Sequence, residues 1–112
     1  MSNEAGGLRL TLDDGGFTLA DAAGGRHQAR WADVRVIAAY KRDLGITDAI
    51  CLAFELAGPT VVEVTEEDAG FEALFGALER HFGVGASWYI EIMEPAFEAT
   101  PRVLYQRPDT SP

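Results

Sequence analysis

The sequence is poor in the residues from which small proteins build cross-links and metal sites. It has one cysteine, Cys51, and two histidines, His27 and His81, among its 112 residues. A single cysteine excludes an intrachain disulfide, and nothing in the cysteine usage indicates an oxidising compartment. The histidines lack the close spacing of zinc motifs, so no metal site is predicted. A chain of this length can fold without a disulfide or a bound metal ion.

Long apolar runs are also missing. No stretch approaches the ~20 apolar residues that a membrane-spanning helix requires. The N-terminus, MSNEAGGLRL, lacks the basic region followed by an apolar stretch that marks a secretory signal. We therefore expect a cytoplasmic protein. Residues 1–7 are predicted to be flexible and residues 108–112 to form a disordered tail, which leaves a single domain over residues 8–107.

Basic residues are scarce in the second half of the chain. The net charge is −9, and residues 51–112 carry eleven acidic residues against three arginines, whereas residues 1–50 carry seven acids and six bases. A surface of this sign repels nucleic acid and anionic membranes, so neither is expected as a partner. A protein partner with a basic face is compatible with it. Solubility explains the acidic excess equally well.

Five β-strands are predicted in the first part of the chain. Apolar alternation marks strands at 8–12, 17–22, 26–43, 49–56 and 60–64, separated by short Gly-, Asp- or Pro-containing turns. Because these turns leave no room for crossover helices, the strands must form an antiparallel meander. In the third strand, one face is expected to be apolar throughout and consists of Val34, Val36, Ala38 and Tyr40.

The period changes to that of a helix after residue 64. One apolar stripe at helical spacing contains Phe71, Leu74, Phe75, Leu78 and Phe82. Thr65 or Asp68 is expected to cap this helix and Gly83 to end it. Beyond it, Trp88–Met93 and Val103–Gln106 are predicted to be short strands. The predicted fold class is therefore α+β: an antiparallel curved sheet, a meander of five or more strands, with one amphipathic helix packed across it.

The segment RWADVRVIAAYKRD places Trp31, Asp33 and Val34 at the start of a central strand, and in this it resembles bacterial PH-like (GRAM-like) domains. The resemblance extends loosely from Leu8 to Phe82 and implies a PH-like meander with an amphipathic helix over it. Two features depart from that family. Its barrels have seven strands before the helix, where five are predicted here, and the basic lipid-phosphate pocket of its better-known members has no counterpart, so lipid binding is not implied. AYKRDLGITDAICLAFE and the tail WYIEIMEPAFEATPRVLYQR are similar to a group of small uncharacterised bacterial proteins, which implies a fold but no activity.

No catalytic or cofactor-binding motif is present. Cys51 lies within an apolar strand and has no base near it in sequence, so we expect a buried small residue rather than a nucleophile. The acids at 66–68 lack the interleaved pattern of a calcium loop. GVGAS follows the helix instead of preceding it and contains no lysine, which excludes a phosphate loop. We therefore expect a protein that is not an enzyme and has no cofactor.

Two features are candidates for binding a protein partner. The first is a set of amphipathic aromatic residues of the kind enriched at interfaces, although core packing explains them at least as well: Trp31, Tyr40 and Trp88. The second is a charged cluster around a loop of hairpin size at 44–47, which is either a recognition loop or simply the polar end of a hairpin: Lys41, Arg42, Asp43 and Asp48.

Together these observations predict a non-catalytic protein-interaction module that self-associates as a homodimer, through a sheet edge or the aromatic tail. Two alternatives stay open. An immunity protein would neutralise a basic toxin through its acidic surface. A small-ligand-binding protein would require a pocket lined by convergent polar groups, which a sequence does not reveal.

Overall fold

The computed structural model describes residues 8–21, 23–43, 48–93 and 101–108, and within these ranges the side chains of Asp43 and Asp48 are not described. The flexibility predicted for residues 1–7, the loop at 44–47 and the tail beyond Pro108 therefore lie outside the described residues.

Within those ranges the chain forms seven strands and two helices: β1 (Arg9–Asp13), β2 (Gly16–Ala20), β3 (Arg26–Arg30), β4 (Val34–Asp43), β5 (Asp48–Leu56), β6 (Val61–Thr65), α1 (Ala73–Phe82), α2 (Ser87–Met93) and β7 (Arg102–Gln106). The strands make two sheets, of order β1-β2-β3 and β6-β5-β4-β7. All strand pairs are antiparallel. The predicted α+β class and the antiparallel pairing are confirmed.

The single curved meander is replaced by two open sheets, because the predicted third strand is in fact two. A 3-10 turn over Trp31–Asp33 separates β3 from β4 and sends the chain from one sheet to the other. The Trp31 N–H donates to the Gly15 carbonyl, and the Asp33 carbonyl accepts from the Ala57 N–H, so the turn is bonded to both sheets. The two sheets do not close into a barrel.

The faces predicted for β4 hold from Val36 onward, but Val34 lies on the face opposite to the predicted one. The register with β5 shifts between Val34 and Val36, which is a β-bulge. An extra residue in one strand moves all later side chains to the opposite side. Val34 and Ile37 are consequently both fully buried in the core, whereas Val36 is half-buried on the other side.

The core lies between the two sheets and the two helices. Phe17 of β2 meets Phe54 of β5 with ring centroids 4.9 Å apart. The predicted stripe of α1 points inward and buries Leu74 and Leu78 completely. Gly83, at a φ of 71°, ends α1 as predicted, with its N–H donating to the Glu79 carbonyl.

The segment predicted as a strand at Trp88–Met93 is helix α2 instead. Trp88 and Ile92 are four residues apart and therefore lie on one side of a helix, where both are buried. Ile90, which would share their side in a strand, is 61% exposed. A short apolar run does not distinguish the two periods, and packing against β4 and β5 selects the helix.

The start of α1 also differs from the prediction. The helix begins at Ala73 and has no side-chain cap, since its N-cap position is Glu72. Asp68 lies in the preceding turn, where its carboxylate accepts the backbone N–H groups of Thr65 (2.9 Å) and Leu8 (3.0 Å). Instead of capping α1, Asp68 therefore connects the residue before β1 to the turn that leads into α1 through hydrogen bonds.

Candidate interaction face

The two tryptophans proposed for partner binding lie inside the core. Trp31 is 7% exposed and stacks on His81 with ring centroids 5.0 Å apart. Trp88 is 3% exposed and stacks on Phe75 at 5.4 Å. This placement favours core packing as the role of both residues.

The charged cluster is divided between the two sides of the four-stranded sheet. Lys41 lies on the core side, where its Nζ donates to the Met93 carbonyl at the end of α2 (3.2 Å). Arg42 is its neighbour in the strand and therefore points to the opposite side, where it pairs with Glu63 at 2.5 Å. Asp43 and Asp48 pair in register at the end of the predicted β4–β5 hairpin. The two cations therefore do not form one site.

The side of the four-stranded sheet that faces away from the core is apolar over most of its area, and we call it the outer face. Strand register places these residues on it: Val36, Ala38, Tyr40 and Arg42 of β4; Ala49, Cys51, Ala53 and Glu55 of β5; Val61, Glu63 and Thr65 of β6; and Val103 and Gln106 of β7. Its centre is made of small residues and its two edges carry Val61 and Val103, each 57% exposed. No described helix or strand packs on this side.

Cys51 lies at the centre of the outer face, between Tyr40 and Thr65 in the register. It is fully buried by its neighbours in the sheet, although it lies outside the main core cluster. Burial raises the pKa of the Cys51 thiol; the positive charge of Arg42 lowers it, but by less. A thiol with little thiolate and no access is inert, which confirms the expectation of a buried small residue.

The outer face carries an ion pair over the small residues of β5. The Arg42–Glu63 pair spans β5 from one side to the other, with side-chain exposures of 44% and 33%. Burial, and then the nearby charge of Asp68, raise the pKa of the Glu63 carboxyl. An ion pair this exposed contributes about 0–1 kcal/mol to stability, and it lies on the Cys51 side of β5.

Sequence reasoning missed this face, although β5 carried the signal for it. Ala49, Cys51 and Ala53 alternate with the core residues of β5, so the strand is apolar on both sides. A strand apolar on both sides is typical of a sheet that is covered on both sides.

The described residues form no metal site, and the two depressions that they line are open to solvent. Among the described residues, no three His, Cys, Asp or Glu side chains are grouped so as to hold a metal ion. Two open, polar depressions have volumes of about 260 and 280 Å³. The first lies on the three-stranded sheet. The second lies on the outer face and is lined by Arg42, Ala49, Glu63 and Thr65 of that face together with Leu8, Glu67 and Asp68. None of the described helices is long and apolar enough to cross a membrane.

No protein-family model, curated protein or solved structure matches the chain.

Proposed function

We propose that this chain is a non-catalytic protein-interaction module that forms a homodimer by packing the outer faces of two copies against each other. The observation that carries the proposal is the outer face itself, which spans four strands and on which Val36, Ala38, Tyr40 and Ala53 are partly exposed between the exposed edge residues Val61 and Val103. Such a face gains free energy when its exposed apolar side chains are removed from water, and Arg42 can stay paired with Glu63 in a complex.

The dimensions of the face suit a reversible dimer. Four strands about 4.8 Å apart and five residues of about 3.3 Å each give a flat area of roughly 300 Å² per copy. Stable complexes remove about 800 Å² of accessible surface from each partner. Even with allowance for the relief of the side chains, the outer face is smaller than such an interface, so we expect weak dimerisation, with dissociation in the micromolar range or above. A twofold axis through the face makes the contact self-complementary and closed.

The two alternatives have less support. Of the eight acidic side chains described after residue 50, Glu63 and Glu91 are paired with arginines, and Glu66 and Asp68 accept backbone N–H groups, so half of this set is already engaged by the chain itself. The two depressions that the described residues line are open and polar, whereas small-ligand sites are concave and mostly apolar. The PH-like resemblance stays a prediction, and the proposed function does not depend on it.

Sedimentation equilibrium on two matched sets of variants tests the proposal. The mass of the protein should shift from 12.1 kDa toward twice that value as its concentration rises from roughly 10 µM to 1 mM, because the expected dissociation constant is micromolar or above. Val61→Asp and Val103→Asp each place a charge on the outer face, and both copies carry it. We expect either change to weaken dimerisation by more than about tenfold, or 1.4 kcal/mol. Ile90→Asp makes the same chemical change at an equally exposed site on α2 and should leave the dimer intact.

Two results would overturn the proposal. One is a monomer at every concentration, or a dimer that Ile90→Asp disrupts as strongly as Val61→Asp. The other is a clear loss of thermal stability in monomeric Val61→Asp, because that would mean that the chain itself already covers the outer face.

A further inference from the structure

The three-stranded sheet carries arginines on the side that faces away from the core. Register places Arg9 and Arg26 in one row across its strands and Arg30 in a row at the opposite end. All three are exposed. We call this side the arginine face; between the arginines it holds the polar residues Thr11, Thr18 and Gln28. The protein as a whole carries −9, so an exposed group of three arginines stands out.

These guanidinium groups are not used by the fold. Arg42 and Arg102 form ion pairs with Glu63 and Glu91. Within the described residues, by contrast, Arg9, Arg26 and Arg30 have neither an ion pair nor a side-chain hydrogen bond. Their donors are therefore available to a ligand.

The acidic residues nearest to the arginine face are bonded to their own turns. Asp13, at the Arg30 end, accepts the N–H groups of Gly15 (2.8 Å) and Gly16 (3.0 Å). Asp21, at the other end, accepts the N–H groups of Ala23 and Gly25 (2.9 and 2.8 Å). Both carboxylates lower the local positive charge, but neither contacts a guanidinium group.

Two of these arginines, Arg26 and Arg30, lie on the open sheet edge formed by β3. The ladder between β2 and β3 continues at its ends through Trp31 N–H to Gly15 carbonyl and Asp21 N–H to Gly25 carbonyl bonds. Hydrogen-bonded pairs alternate along an antiparallel ladder, so the residues between them turn their backbone groups away from β2. Those residues are Arg26, Gln28 and Arg30, and no described strand or loop bonds to this edge.

A depression of about 260 Å³ lies on the arginine face over β2 and β3, and its lining includes Asp13, Gly16, Thr18, Gln28 and Arg30. A Cβ at Gly16 would come within 2.0 Å of the Ala29 carbonyl oxygen, so the position accepts only glycine. Gly16 is therefore required by the close approach of the β3 backbone within the sheet.

We propose that β3 binds an extended acidic segment of a protein partner by strand addition. The backbone of the segment pairs with the outward N–H and C=O groups of Arg26, Gln28 and Arg30, and its carboxylates form charge-assisted bonds with the two guanidinium groups. Because Arg26 and Arg30 alternate with Gln28 along one side, the segment carries two acidic residues four positions apart with a polar residue midway. This surface is on the other sheet and is independent of the outer face.

A peptide explains the surface better than a nucleic acid does. An open strand edge offers evenly repeated amide and carbonyl groups, which only another extended backbone matches. A long polyanion would also meet the acidic remainder of the molecule, whereas a short segment with two or three charges would not.

The experiment is selection from a display library of random twelve-residue peptides at about 50 mM salt, where surface charges are weakly screened. We expect recovered peptides to share two acidic residues four positions apart. A synthetic copy of a recovered peptide should lose at least tenfold in affinity for Arg26→Glu and for Arg30→Glu. It should bind Arg80→Glu as well as the parent, because Arg80 is an exposed arginine on α1 and that change alters the charge equally.

A copy of the same peptide with N-methyl groups on alternate amides tests the strand pairing without altering the protein. Methylation of the amides that face β3 should abolish binding, and methylation of the other set should not. Recovery of no peptides, or of peptides without the acidic pattern, overturns the proposal. Equal binding of both methylated peptides, or equal competition by an oligothymidylate of the same charge, shows attraction of anions in general and also overturns it.

Discussion

Replacing Asp68 by asparagine tests the hydrogen bonds that attach the three-stranded sheet to the rest of the molecule. Asp68 is 6% exposed, and its two oxygens accept backbone N–H groups from both sides of the junction, those of Leu8 and Thr65. Two backbone bonds lie beside it, from Leu10 N–H to the Ala69 carbonyl (2.7 Å) and from Ala69 N–H to the Leu8 carbonyl (2.8 Å). Asp68 therefore connects the residue before β1 to the turn before α1.

The expected loss follows from hydrogen-bond chemistry. Asparagine keeps the shape of the side chain but has one acceptor oxygen, so its NH₂ group must face one of the two backbone N–H groups. Hydrogen bonds to charged groups contribute about 1.5–3 kcal/mol, and an orphaned donor adds its own desolvation cost. We expect Asp68→Asn to lower the free energy of unfolding by roughly 2–4 kcal/mol. At about 4 °C per kcal/mol for a domain of this size, the melting temperature should fall by roughly 8–16 °C.

Urea unfolding followed by circular dichroism measures this loss, and Glu67→Gln is the matched control. Glu67 is the exposed neighbour in the same turn, and the change removes the same charge. Surface substitutions of that kind stay within about 0.5 kcal/mol of the parent. Amide exchange at Leu8 and Thr65 should also accelerate in Asp68→Asn. If Asp68→Asn unfolds within 0.5 kcal/mol of Glu67→Gln, or if those two amides stay protected, the reasoning about the junction is refuted.

Three further outcomes are expected. Gly76→Ala, at an exposed position of α1 with open space around it, should raise the free energy of unfolding by about 0.5–1 kcal/mol. Gly70→Ala, at a φ of 93° with a carbonyl oxygen 2.4 Å from the new Cβ, should lower it by about 1–3 kcal/mol. Denaturant melts in which both changes shift the free energy of unfolding in the same direction would contradict the geometry. The hydrogen bond from the Tyr89 hydroxyl to Glu66 (2.6 Å), followed by burial, raises the pKa of Tyr89 above 10.0. Tyr89→Phe should therefore remove a stabilisation of about 1 kcal/mol that is constant below about pH 10 and disappears as the pH rises through the folded-state pKa of Tyr89. Unfolding curves of the parent protein from about pH 7 to 11 that show no such loss would count against this hydrogen bond. Cys51 should react with a thiol reagent only in denaturant, and rapid labelling of the native protein would contradict its burial.

Much of the fold could be predicted because the signals are local. The alternation in β1, β2, β5 and β6 and the stripe of α1 each depend on residues close together in sequence, and all five elements were predicted with the right type. Short turns made antiparallel pairing the only choice for neighbouring strands. Gly83 and Cys51 also behave as their types and positions indicate.

The errors occur where distant parts of the chain compete for the same residues. α2 is too short for its period to be decisive, and it is helical because that packs Trp88 and Ile92 together onto β4 and β5. The third predicted strand divides at Trp31, whose ring is drawn into the core beside Phe17 and His81. In each case burial of a large side chain outweighed the pattern of its neighbours.

The candidate surfaces show the same division. Sequence alone determined that β5 is apolar on both sides, that net charge resides in the second half, and that β1–β3 hold a share of the arginines, because composition and alternation are properties of consecutive residues. Only the tertiary structure decided which of these residues meet. One bulge before Val36 sets the side on which the rest of β4 lies, and the pairing of β3 with β2 leaves Arg26 and Arg30 at an open edge. Both outcomes depend on contacts between strands, and those form only when the chain folds.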